Sequence, residues 1–419
     1  MSIRAGSIVT VAGRNVVDRL QSVGLGDARI PIETIREVGN DLVVDKVPGE
    51  ADFTFSMESW DVTTDMMAFL HGLIGNQAAD QPPGDADPDG TQYRWEDCEF
   101  VNITSPWKRN TGNAGGNIAA GLLIPAYYPT RLRYRFGVTD NAVQEVELAG
   151  GSFYYAQGSP VEETASADGA TTDFTTSEAA RALRLGGPAG DTYQRIFGVL
   201  VDGVLQVRGV DFNETTAAVD AAPGTATIEF VNAPANGAQV RYVYFSDVPK
   251  AYPQAVNADT IIKPGAVRGR NIVVLVGERG TNQLRLPGIQ TFELEATIDG
   301  EVEREMGNSE ITGRVVNGTD ATGTVTIRPK DIPAFFNTLS LVTGRDVDEV
   351  FDYINLETTP VEVQIQNPKN PAEILKTVFV EDGQFQPPGT PARVNQATDF
   401  AFQFNSLSGS FSEFKGARP

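Results

Sequence analysis

IVTVAG at residues 8 to 13 returns as IVVLVG at 272 to 277, LQSVGL at 20 to 25 as IQTFEL at 289 to 294, and IREVGN at 35 to 40 as EREMGN at 303 to 308. GSF at 151 to 153 returns as GSF at 409 to 411. The offsets are 264, 269, 268 and 258 residues, nearly constant and in one order. Such a series reads as a tandem duplication of one domain of ordinary size. The chain divides accordingly into a first copy at 1–155, an inserted segment at 156–255 and a second copy at 256–419.

Within each copy the short alternating and β-branched runs predict strands. They fall at 7–12, 52–57, 98–104 and 131–138, with counterparts at 272–276, 323–328, 360–366 and 398–405. Each copy also carries one helical pattern. Asp61 can cap a stretch in which Met66, Met67, Phe69, Leu70 and Leu73 form an apolar face. Asp331, Ile332 and Pro333 start the second, Phe335, Phe336, Leu339 and Val342 supply its face, and Gly344 stops it. The expected fold is mainly β: two tandem β-sandwich or barrel domains, each with one packed α-helix.

The polar stretches at 39–51 and 307–323 follow the repeated Gly-Asn pair and read either as contact arms or as solvated hairpins. Residues 156–255 open with QGSPVEETASADGATTDFTT, a small and polar run that predicts a linker. Beyond it, VLVDGVLQVRGVDF, TATIEF and AQVRYVYF predict strands joined by turns at Asp202-Gly203, Pro223-Gly224 and Asn236-Gly237. An all-β, immunoglobulin-like module is therefore expected between the copies, carried outward as a removable decoration.

Composition narrows the function. The 419 residues carry 33 basic and 55 acidic side chains, a formal charge of -22, which argues against binding nucleic acid by neutralising phosphate. One cysteine, Cys98, excludes an internal disulfide, and one histidine, His71, removes the usual zinc cages and most histidine-based catalysis. His71 stands before Gly72 at a helix end, where an imidazole meets terminal carbonyls. GGPAGD (186 to 191) and GNAGGN (112 to 117) lack the ending of a phosphate loop, and no nucleophile-base constellation is present. A non-enzymatic protein is expected, made in the cytoplasm, with no signal peptide and no membrane span.

Two local patterns carry chemistry. Asp85, Asp87 and Asp89, with Gly90, Thr91 and Glu96, follow the spacing of a calcium loop, in which carboxylates and the Thr91 carbonyl converge on one hard cation, Ca2+. Pro82, Pro83 and Pro88 make a helix-loop-helix unsuitable, leaving an isolated cation loop or a solvated acidic one. In RLRYRFG (131 to 137), Arg131, Arg133 and Arg135 share one strand face and Leu132, Tyr134 and Phe136 the other. A basic stripe on a strand can touch DNA, but in a net-acidic oligomer this one is expected to pair with carboxylates of a neighbour.

LQSVGL, IREVGN and a strand-helix segment ending FLHG together resemble the major tail-tube proteins of long-tailed, siphovirus-like bacteriophages and archaeal tailed viruses. DGVLQVRGVDF with TATIEFVNAPANGAQVRYVYF resembles a small β-domain common in phage structural proteins. The resemblance implies a structural virion protein of the viral tail, whose sheets join across subunits around a DNA-conducting lumen. A duplicated chain would build a pseudo-sixfold ring as a homotrimer and stack into a tube. The implied partners are tail-tip and tail-terminator proteins, with the tape-measure protein and DNA passing through the lumen without sequence-specific binding during DNA ejection. A tail-tip, baseplate or receptor-contact protein, or a capsid decoration protein, is the alternative.

Overall fold

The computed structural model describes residues 10–11, 14–15, 20–25, 32–36, 43–48, 53–60, 62, 67, 70–71, 90–108, 118–187, 190–216, 223–248, 250, 267–304, 311–344, 358–386 and 399–419. It is mainly β, built from several antiparallel sheets, and among the described residues no barrel closes on itself. Among the described residues, no helix is long and apolar enough to cross a membrane.

Two sets of strands share one order of pairing. In the first, Thr10–Val11 pairs with Val101–Lys108, which pairs with Ile118–Gly137. That long strand also pairs with Tyr154–Gln157 and with Val143–Gly150, and the latter leads through Phe53–Ser59 to Leu20–Leu25. In the second set, Ile272–Val276 pairs with Thr359–Asn367, which pairs with Asn370–Phe385. Asn370–Phe385 pairs in turn with Phe411–Lys415 and Phe400–Ser406, and the latter leads through Ile311–Ile327 to Ile289–Arg304. One expected match shifts: the strand in the place of 400–406 is Val143–Gly150, not 131–138. The two GSF turns agree with this, since each follows the strand so placed.

The second helix forms at Ile332–Thr343 and ends at Gly344, whose φ of 68° is the left-handed conformation that favours glycine. Phe335, Leu339 and Val342 are buried, and Phe335 meets Phe402 at 4.6 Å between ring centroids. Asp331 precedes the helix without a side-chain cap; instead Asn282 donates from Nδ2 to the Val342 carbonyl near its other end, at 2.6 Å. Of the first helical pattern, Met67 and Leu70 are helical and buried, and the His71 N–H donates to the Met67 carbonyl at 2.9 Å. Asp61, Met66, Phe69 and Leu73 lie outside the described residues.

The stretch at 307–323 is largely strand. Residues 311–323 belong to Ile311–Ile327, paired along almost its whole length with Ile289–Arg304 to form a long arm. The place of this arm in the first set is taken by Ile32–Arg36 paired with Val43–Pro48. The tip of the second arm reaches the first set. Ile311 lies against Gly151, and the Arg314 guanidinium stands over the Tyr128 ring at 4.7 Å.

The segment between the copies is a sandwich-like module. One sheet holds Ser159–Ser166, Gln239–Ser246, Ile196–Val201 and Val204–Leu205, the other Asp173–Thr175, Ala226–Phe230 and Phe212–Thr216. Phe174, Phe212, Ile228, Phe230, Val240 and Tyr244 fill the space between them. Asp202 and Gly203, with φ of 49° and 83°, make the predicted tight turn. The linker reading fails for residues 159–166, because SPVEETAS forms a strand paired over its full length with Gln239–Ser246.

The module is also not loosely hung. Leu123 of the first set forms a buried cluster with Phe197, Val243 and Phe245 of the module, and Tyr154 meets Phe197 at 4.3 Å. Asn102, fully buried, donates to the Gly198 carbonyl at 2.9 Å and accepts from the Ala126 N–H at 3.0 Å. A Cβ at Gly198 would stand 2.2 Å from the Asn102 Oδ1, so the Asn102 side chain can lie this close only to a glycine.

Candidate assembly interface

The two strand sets meet edge to edge. Residues 131–137 of the long first-set strand pair antiparallel with residues 291–297, from Thr291 opposite Gly137 to Thr297 opposite Arg131. Alternation in RLRYRFG makes the joint two-faced. Leu132, Tyr134 and Phe136 are buried on one face together with Phe292, Leu294 and Ala296. Tyr134 stacks on Phe136 at 5.9 Å, and Phe136 on Phe292 at 6.3 Å, so the aromatic row crosses from one set to the other.

The opposite face is charged. Arg131 pairs with Glu145 at 3.0 Å and Glu147 at 3.4 Å, and Arg135 with Glu58 at 3.4 Å. Arg133 crosses the joint, reaching Glu293 at 2.7 Å and Glu295 at 3.6 Å. The hydrogen bond to Glu293 holds the Arg133 pKa above its ordinary value against the opposing effect of burial. These side chains keep roughly a fifth to two-fifths of their surface exposed. Each pair therefore contributes about 0.2–1 kcal/mol, and the main-chain ladder with its apolar face carries the joint. The basic stripe thus finds its carboxylates inside the same chain, on both strands flanking it and, through Arg135, on Phe53–Ser59. Five carboxylates face three guanidiniums, leaving this face net acidic.

A second seam ties the sets together. Gln92–Arg94 pairs with the last strand, Phe411–Lys415, and Tyr93 stands opposite Glu413. His71 packs edge-on to Tyr93 at 5.6 Å and donates from Nε2 to the Arg94 carbonyl at 2.5 Å. The imidazole thus meets a carbonyl of the seam strand rather than one of its own helix. Burial lowers its pKa, so the ring is held neutral.

Of the expected cation loop, Asp85, Asp87 and Asp89 lie outside the described residues. The Thr91 carbonyl accepts from the Lys415 N–H at 3.0 Å, and Glu96 pairs with Arg94 at 3.4 Å. Among the described residues no group of three or more histidine, cysteine or acidic side chains could hold a metal.

Among the described residues, one edge of this arrangement has a partner on one side only. Ile289–Arg304 is paired on both sides, whereas Leu20–Leu25, which holds the same place in the first set, is paired among the described residues only with Phe53–Ser59. Pairing order was partly legible in the repeated motifs, but the edge-to-edge joint was not, because strand alternation names a buried face and leaves the neighbouring strand unspecified. Searched against protein families and against curated proteins, the chain matches none.

Proposed function

We propose that the chain is a structural subunit that joins copies of itself edge to edge, as a major tail-tube protein does. The observation that carries this reading is the joint between residues 131–137 and 291–297, with Leu20–Leu25, in the equivalent place, paired among the described residues on one side only. Two units of one pairing order, joined head to tail, are the start of a heterologous series, and such a series closes into a ring when its rotation divides the circle. An open strand edge is a hazard in a monomer and a template in an assembly.

Three chains would supply six units to a pseudo-sixfold ring, and rings would stack into a tube. The net-acidic face carrying Glu58, Glu145, Glu147, Glu293 and Glu295 suits a lumen past which DNA slides, because like charge keeps phosphate from sticking. The module, seated against the first half of the 118–137 strand while the joint with the second set lies in its second half, would face outward. Electron microscopy of the purified protein tests the reading: hollow rings or tubes with threefold detail are expected. A chain that stays monomeric at high concentration overturns it, and rings of six chains overturn the stoichiometry.

A further inference from the structure

A charged triad closes the core where the two strand sets meet. Lys376, on Asn370–Phe385, and Glu413, on Phe411–Lys415, are both fully buried, with Nζ 2.8 Å from Oε2. Tyr134, from the first set, is also fully buried and bridges them: its hydroxyl accepts from Lys376 Nζ at 2.7 Å and donates to Glu413 Oε1. Oε2, despite the nearby ammonium, makes no hydrogen bond of acceptable direction.

Water normally opposes condensation of an ammonium with a carboxylate, because it solvates both ions better than the neutral amide they would form. Here neither ion touches solvent, so that opposition is removed, and the desolvation cost of two buried charges favours a neutral product. Oε2 is bonded directly to Cδ, so a small side-chain shift brings Nζ to the roughly 3–3.5 Å of a near-attack arrangement.

We propose that Lys376 and Glu413 become joined by an amide bond, with Tyr134 as the catalytic proton relay. The tyrosine oxygen takes a proton from Nζ while its own proton passes to Oε1, giving a neutral amine beside a carboxylic acid. The Nζ lone pair then forms the N–C bond at Cδ, and a carboxyl oxygen leaves as water. Overall the ammonium gives up two protons and the carboxylate one oxygen, which together make that water; nothing is oxidised or reduced. Because the relay comes from the first strand set and both reacting groups from the second, the bond forms only where the two sets have docked. It locks Asn370–Phe385 to Phe411–Lys415 without using the proposed tube assembly, so it stands or falls separately from that reading.

The test is the intact mass of the denatured full chain, followed by sequencing of its peptides in a mass spectrometer. A mass lower by one water is expected, with peptides joined through Lys376 and Glu413. Lys376→Met is expected to show the full mass. Tyr134→Phe keeps the ring that stacks on Phe136 but removes the relay, so it is expected to fold and to link at least tenfold more slowly. Full mass in the unaltered chain after prolonged incubation overturns the proposal, as does a lost water mapping to any other pair. Linking of Tyr134→Phe at the unaltered rate overturns the relay.

Discussion

At the scale of single residues, small side chains and one imidazole set tight conditions. A Cβ on Gly323 would stand 2.1 Å from the Phe404 ring lying across it from the neighbouring strand. Gly323→Ala is therefore expected to destabilise the second unit by about 1–3 kcal/mol, read from the denaturant midpoint; a neutral substitution would show that the ring is free to move. His71 makes stability depend on pH. Burial lowers its folded pKa, so the unfolded chain takes up a proton first as pH falls. The contribution is complete above the ordinary histidine pKa of about 6.5 and is lost progressively below it. His71→Gln can keep a donor toward the Arg94 carbonyl without titrating, and is expected to flatten the fall in melting temperature between about pH 8 and about pH 5. An unchanged slope in that variant would assign the pH dependence to other groups.

At the scale of elements, the strand 118–137 joins different parts of the molecule along its length. Its first half pairs with Val101–Lys108 and Tyr154–Gln157, its second with Val143–Gly150 and residues 291–297 of the other set. Between the halves lie Pro125, Ala126 with a φ of 50°, and a bulge opposite Glu147 and Leu148, features that bend a strand. Arg133 tests how the joint is held. A double-mutant cycle on Arg133→Ala and Glu293→Ala is expected to give a coupling of about 0.5–1 kcal/mol that shrinks with added salt. A coupling well above about 2 kcal/mol would mean that the ion pairs, rather than the ladder, hold the joint.

At the scale of the whole molecule, the module is bound into the structure. Removing residues 159–248 would uncover Leu123, Tyr154 and Ala156, which now lie against Phe197, Val243 and Phe245. The shortened chain is expected to scatter light and bind a hydrophobic dye, and Leu123→Ser in that background is expected to reduce both. A shortened chain as soluble and as thermally stable as the full one would mean that the seam contributes little.

The repeated motifs, the alternation in RLRYRFG and the Ile332-Pro333 start with its Gly344 stop were legible in the sequence because they depend on local geometry: a period of two, a missing N–H, a left-handed φ. The turn at Asp202-Gly203 belongs with them. SPVEETAS was read as linker from its polar composition, and only pairing with the partner strand Gln239–Ser246 makes it a strand. Arg131, Arg133 and Arg135 announced a need for carboxylates, but whether these would come from the same chain depended on which edges met. The meeting of Lys376, Glu413 and Tyr134 lay further still from the sequence. Their separations of 37 residues and more than 200 are closed only by sheet pairing, and no local preference encodes which buried charge will find which partner.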